Sequence, residues 1–575
     1  MRWQIFESEE FIAIANERYR DTKIPSLRGS ILAKDGSSLA FSEPRFDAYV
    51  WIPELELAER RGYQTQEEFV ETISSVLGYK EEDLEKLLES GPLWIKIGDK
   101  INVNKRNKLI GTKLRDSERS LQGIQFEYVN RRIYPERRLA SHVVGFVGSS
   151  TSGSRVGVGG LEQYWEGSLK PQEGFEIGEF DSFGNPITLG DSTPLEPKPG
   201  VTLVTTIDKT LQGKLEVNLK RAVEKYESDS ATGVIMNPVT GAVMAMASYP
   251  NFNPERYFME QDGAVFGNRA ITVPYEIGSV AKIFTVASAL DLETLGPTSK
   301  VLPNGHKGCE IISPHPKPGA SCFNKDDLKD IDCICTYDRK ANPNPITLSS
   351  AVIDSDNIAF RHIALTMTYE EFYNYLSAFG IGESTEVDLA GESTGLLKPF
   401  ENWNYADQAV YSYGHSYEIT PLQAVTGVAV IANGGNRMQP YLVSQVIDAD
   451  GKVTDFNPRV VEEVIKPITA ETVAEIMHEV FKRNIPENHY QFLDEYYIAL
   501  KSGTALIPYT DRVGYSDEIN TTYVGFDASP EKRFVMLIKL EKPQVGELSF
   551  YNAREVWLDT FKDIKGDLGV PKYTK

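Results

Sequence analysis

Three short combinations of side chains in this sequence could together perform acyl transfer: Ser279-Val-Ala-Lys282, Ser355-Asp-Asn357 and Lys501-Ser-Gly-Thr504. A serine three residues ahead of a lysine shares one helix face with it. If that lysine faces an apolar interior its pKa falls, and the neutral amine can take the hydroxyl proton so that the oxygen becomes a nucleophile. The helix N-terminus adds positive potential where an oxyanion would develop. Ser-x-x-Lys alone is weak evidence, since chance supplies on the order of two matches in a chain this long, and the sequence has two. The other, Ser529-Pro-Glu-Lys532, reads as a solvated, proline-bearing turn between strands. Ser279 instead follows Pro274 and Gly278 and opens the apolar run from Ile283 to Leu290, which places it at the first turn of a buried helix. A serine N-cap beside a snorkelling lysine is the plain alternative for such a match. The two downstream elements weigh against it.

Ser355-Asp-Asn357 is the one Ser-x-Asn in the chain and lies in a segment that reads as helix, loop, helix. Lys501-Ser-Gly-Thr504 is the one Lys-Ser/Thr-Gly, expected at the end of a strand over residues 496–500, where Gly503 lets a ligand approach the backbone. Taken singly, these would be an ordinary turn and a strand terminus. In this order they form a set with a shared mechanism.

The elements that must position these residues follow from hydrophobic periodicity. Asp208 caps a helix whose Leu211, Leu215, Leu219 and Val223 form one apolar face. Residues 232–236 and 242–247 flank the turn Asn237-Pro-Val-Thr-Gly241 as a hairpin. Strand-like runs at 496–500, 522–526 and 534–540 precede a closing helix carrying Val556, Phe561 and Ile564. Helix, strands, helices, strands, helix describes an α+β domain with an antiparallel sheet. Upstream, Phe69, Ile73, Val76, Leu84 and Leu88 recur at helical spacing, which places a helical subdomain at about 65–90 among β-rich runs. Three prolines in residues 193–200 set the expected boundary between units at 1–195 and 196–575. Gly157-Val-Gly-Gly160 lacks the Lys-Ser/Thr of a phosphate loop and reads as a structural turn.

A length of 575 residues excludes a single small binding module. A net charge of −22 denies the chain the basic field that nucleic acid requires, so no nucleic-acid partner is expected. The four cysteines lie together as Cys309, Cys322, Cys333 and Cys335. In an oxidising compartment they read as two disulfides, in a reducing one as a small zinc site with His306 or His315 as alternative ligands, and otherwise as unpaired thiols.

With its three motifs in order, the chain resembles the class B penicillin-binding proteins. Arg28-Gly-Ser-Ile31, Tyr134-Pro135, Val144 to Gly148, Gly160-Leu-Glu162, Thr206-Ile-Asp208, Asn237-Pro238, Tyr275-Glu276, Thr420-Pro-Leu-Gln423 and Asn433-Gly-Gly435 extend the resemblance over most of its length. Ile277 departs from the proline usual before Gly-Ser, Ser502 replaces the common threonine, and residues 303–344 make a longer connection than the family has there. The resemblance implies a penicillin-binding transpeptidase fold, an antiparallel sheet flanked by helices, preceded by an elongated mixed β/α pedestal module. It implies peptidoglycan D,D-transpeptidation inhibited by β-lactams, with Ser279 as nucleophile, Lys282 as its base and Ser355 as proton relay. Asn357, Lys501, Ser502, Gly503 and Thr504 would bind substrate, and no cofactor or metal is required. Implied partners are peptidoglycan stem peptides, β-lactams, and a polytopic membrane glycan polymerase with other wall-synthesis proteins. The implied location is the outer face of the bacterial cell membrane, on an N-terminal anchor helix absent from this sequence. The short N-terminal module and the segment 132–148 resemble the division-type enzyme more than the elongation type. A serine β-lactamase would share the acylation residues but has no use for the N-terminal module, and a non-catalytic β-lactam sensor or wall-synthesis scaffold would not need the intact motifs.

An extracytoplasmic location implies oxidised cysteines, with Cys333 and Cys335, too close in sequence to bond each other, each paired to one of Cys309 and Cys322. Thiol titration of the denatured, unreduced protein should therefore find no free thiol and no metal; four thiols with one zinc would overturn the expectation.

Overall fold

The computed structural model describes residues 19–112, 120–150, 153–179, 195–303, 305, 308–312, 322, 333–336, 344–484, 490–509, 511–512, 514–546 and 548–573. Its centre is a five-stranded antiparallel sheet in the spatial order Val243–Tyr249, Ser230–Met236, Val535–Glu541, Tyr515–Asp527, Ile498–Pro508. Every residue of Ser230–Met236 is buried, as a strand covered on both faces requires. Helices Lys209–Tyr226 and Ala553–Ile564 pack on one face, and Pro421–Asn433 on the other. The last is buried all round, from Pro421 through Ala432, which is the pattern of a helix enclosed on every side. Helices Lys282–Asp291, Leu348–Asp354, Asn357–Ala364, Tyr369–Ala378 and Pro467–Asn484 build the layer beyond it.

The N-terminal unit hangs from the long strand Ser38–Trp51, which pairs with Trp94–Ile101 on one edge and Ile124–Ile133 on the other. Helix Gln66–Leu77 starts with a capping box, Thr65 with Glu68, and ends at Gly78 in the left-handed region. With Glu81–Ser90 it forms the expected helical subdomain, and helices Ile52–Arg60 and Val103–Gly111 join it. Phe69, Val70, Ile73, Leu84 and Ile97 give this end its own core.

Strand Thr202–Thr205 runs parallel to Ile31–Leu32 and antiparallel to Val443–Ile447, so one sheet crosses from the N-terminal strands to those beside the central domain. Beneath it Glu162, 0% exposed, accepts from Arg28 Nε and Arg132 Nε, each at 2.7 Å, and from the Tyr134 hydroxyl at 3.2 Å. The glycines before it serve packing: a Cβ on Gly157 would lie 1.9 Å from the Glu162 carbonyl.

Two local expectations are corrected. The strand bearing Lys501 does not end there; it runs to Pro508, because residues 501–506 pair register by register with 519–524 in the same hairpin. Ser529 does lie in a turn between strands, but it is buried, held by its N–H to Asp527 and its hydroxyl to Glu531.

Removing the Glu162 carboxylate leaves the buried Arg132 guanidinium without its counter-ion and leaves Arg28 with Glu166 alone. Glu162→Ala is expected to cost about 3 to 5 kcal/mol of stability, read as a lowered denaturation midpoint against a surface control such as Glu56→Ala.

Candidate active site

The site forms where the sheet's edge strand meets two helix starts. Residues Gly278–Ala281 make a single 3₁₀ turn that runs into Lys282–Asp291, whose residues Lys282 to Ala289 are all buried. Ile277, in the proline's place, has φ −77°, within the range a proline ring enforces, and its side chain is buried. The turn is pinned from both sides. Gly278 donates its N–H to the Gly414 carbonyl at 3.0 Å. On the other side, a Cβ on Gly503 would meet the Ile277 carbonyl at 2.5 Å. This close approach is why the strand carries glycine there.

Ser355 occupies the break between helices Leu348–Asp354 and Asn357–Ala364, in the left-handed region at φ 55°, and Asp356 caps the second helix through its Oδ1 and the Ala359 N–H. This geometry turns the Ser355 side chain and its carbonyl toward the nucleophile helix. The Lys282 Nζ donates to the Ser355 carbonyl at 2.6 Å, to Asn357 Oδ1 at 2.7 Å and to Ser355 Oγ at 3.1 Å. From the strand side, Lys501 Nζ donates to the same Ser355 Oγ at 2.9 Å and to the Ser502 carbonyl at 3.2 Å. The structure thus brings Lys282, Ser355, Asn357 and Lys501 into one hydrogen-bonded cluster beside a partly exposed Ser279.

Both ammonium groups sit out of water, at 0% and 1% exposure. Burial drives the Lys282 pKa well below the ordinary lysine value, and the neighbouring Lys501 charge pushes it further, against the opposing pull of Asp356. Burial alone brings Lys501 down to about 7. Two cations sharing one hydroxyl in a poor solvent favour loss of a proton from the pair.

Thr504 Oγ1 donates to Ser549 Oγ at 3.1 Å and accepts from the Ser549 N–H at 3.1 Å. Ser549 was not legible in the sequence, since it lies far from the motif and in no pattern of its own. Nor were His415 and Tyr515. Glu276 takes the Ser416 N–H and the Tyr515 hydroxyl, each at 2.9 Å, and lies 2.9 Å from His415 Nδ1, so it ties the loop after Gly414 to the turn that presents Ser279. Cys309 is bonded to Cys335 and Cys322 to Cys333; His306 and His315 fall outside the described residues. No group of three or more His, Cys, Asp or Glu among the described residues could hold a metal.

A buried lysine pair bridged by a serine, beside a second serine at a helix start, defines a serine acyltransferase site on an α+β scaffold. Residues 231–309 and 324–562 match the penicillin-binding protein transpeptidase domain, and residues 23–205 the penicillin-binding protein dimerisation domain. The chain belongs to the penicillin-binding protein transpeptidase family and, with the dimerisation domain ahead of it, is a class B member. It is 27% identical to stage V sporulation protein D of Bacillus subtilis, covering 99% of this chain and 82% of that one. It is 24% identical to the peptidoglycan D,D-transpeptidase FtsI of Escherichia coli, covering 92% and 81%. In fold it is similar to penicillin-binding protein 2X of Streptococcus thermophilus, with a TM-score of 0.77 at 21% identity over 96% of this chain and 81% of that one.

A methyl group on Gly414, at φ 88°, would lie 2.1 Å from the Gly278 carbonyl. Gly414→Ala should displace the turn bearing Ser279 and lower the second-order rate of acylation by a fluorescent penicillin about a hundred-fold, a loss that stopped-flow labelling would measure.

Proposed function

We propose that Ser279 carries the acyl-enzyme of a peptidoglycan D,D-transpeptidase that builds septal wall. The chain is a serine-type transpeptidase of cell-wall synthesis, with stem peptides as substrate and β-lactams as inhibitors. The observation that supports these roles best is the shared hydroxyl: Ser355 Oγ accepts from both buried lysines.

Neutral Lys282 takes the proton of Ser279 as its oxygen bonds to the penultimate D-alanine carbonyl carbon. The tetrahedral oxyanion is held by the backbone N–H groups of Ser279 and Thr504. As the peptide C–N bond breaks, the proton passes through Ser355 to the departing D-alanine amine. An acceptor amine then attacks the ester, and its proton returns to Ser279 Oγ. Asn357 binds the donor's amide, Lys501 supplies positive potential, Gly503 lets the donor lie against the strand, and Ser502 and Thr504 receive the terminal carboxylate. An amine acceptor needs no water-activating group, so the acyl-enzyme formed with penicillin should be long-lived.

The unit 1–195 serves as pedestal and 196–575 as catalytic domain, with a polytopic membrane glycan polymerase as partner of the former. The reaction belongs on the outer face of the bacterial membrane, where the two disulfides persist. Similarity to FtsI supports the septal reading.

Intact-mass measurement after incubation with penicillin should show one adduct that Ser279→Ala abolishes. Lys282→Arg should be nearly as damaging as Lys282→Ala, because guanidinium does not deprotonate. With a depressed Lys282 pKa the base is neutral above that pKa, so acylation should fall as pH drops through it. An adduct that survives Ser279→Ala would overturn the assignment.

A further inference from the structure

The long connection between the first two motifs touches the catalytic cluster. Residues Cys309–Ile311 and Cys333–Cys335 form an antiparallel pair, with Cys309 opposite Cys335, and the disulfide between those two closes the pair at the end facing the site. The Cys335 carbonyl accepts from Asn357 Nδ2 at 3.1 Å. The other end of the same amide, Oδ1, accepts from Lys282 at 2.7 Å. An amide can be turned end for end at almost no intrinsic cost, and in the reversed orientation its NH₂ would face the N–H donors of Lys282 and its oxygen the Cys335 carbonyl. The Cys335 carbonyl therefore selects the orientation that gives Lys282 an acceptor.

A second contact holds the hairpin to the helix that begins at Asn357. Glu310 accepts from Arg361 Nη1 at 3.1 Å and lies 3.0 Å from His362 Nε2, one turn into that helix. Ile334, 2% exposed, and Ile312, 4% exposed, root the hairpin in the main core. Hydrogen bond, ion pair and core contact fix the Cys335 carbonyl relative to Asn357.

We infer that the hairpin closed by Cys309 and Cys335 is a positioning element for Asn357, with the Cys335 carbonyl and Glu310 as its two points of grip. The inference rests on the acyltransfer reading of the site. It assigns a task to a stretch that the transpeptidase family match leaves unaligned at residues 310–323. Positioning of this kind acts through Asn357 alone, so its loss should be felt only while the Asn357 amide is present.

The test is a double-mutant cycle on acylation by fluorescent penicillin. Cys309→Ala/Cys335→Ala is expected to lower the second-order acylation rate about ten-fold or more, and Glu310→Ala to lower it by a smaller factor. Cys322→Ala/Cys333→Ala, which removes the other disulfide, should change acylation less than two-fold. In an Asn357→Ala background neither hairpin change should lower the residual rate further, although thermal midpoints should still fall. Equal fold-losses with and without Asn357 would overturn the inference, as would equal effects from the two disulfide pairs. Retention of the Ser279 adduct mass in every variant keeps the test separate from the nucleophile assignment, whose failure would remove the adduct's dependence on Ser279.

Discussion

Two lysine ammonium groups placed around one serine hydroxyl, out of reach of water, are the constraint on which the rest of the site depends. Such a pair is unstable unless one member gives up its proton or every donor finds an acceptor. Burial lowers both pKa values and so favours that loss, while three oxygens lie within hydrogen-bond distance of Lys282 Nζ and two of Lys501 Nζ. The Ser355 backbone carries the cost. A serine at φ 55° is disfavoured by about 1 kcal/mol or more relative to its ordinary regions. Two helix ends held by the surrounding core over-determine it, and in return one residue presents both its hydroxyl and its carbonyl to Lys282.

The second constraint is distance between backbones. The nucleophile turn lies between the Gly414 loop and the Gly503 strand, each at a separation that admits no side chain. Thr504 is thereby brought to the back of Gly278, where a Cβ would lie 2.6 Å from the Thr504 carbonyl. Glu276, through Ser416 and Tyr515, holds the outer wall of this arrangement.

The catalytic unit is also braced from below. Strand Thr202–Thr205 shares its hydrogen bonds between Ile31–Leu32 and Val443–Ile447, and the main apolar core continues from Ile31 and Leu39 into the central sheet without a break. The far N-terminal end has a separate core. The buried Arg28–Glu162–Arg132 cluster sits between the two.

Sequence alone determined the elements whose cause is local. The helix over 209–226 follows from Asp208 and an apolar face, the hairpin 230–249 from its turn, and the Ser279 helix from an apolar run after glycine. The motif residues were legible because their chemistry demands particular types at fixed spacing. What closes around them was not. Ser549, His415 and Tyr515 reach the site from segments with no periodicity to mark them, and the strand through Lys501 continues because its partner strand does, a fact invisible from its own residues. The depth of burial that lowers both lysine pKa values, the left-handed turn at Ser355 and the contact of Cys335 with Asn357 all depend on chain segments far apart in sequence. Only tertiary structure decides them, because solvent exclusion and amide orientation are properties of what surrounds a residue and not of the residue itself.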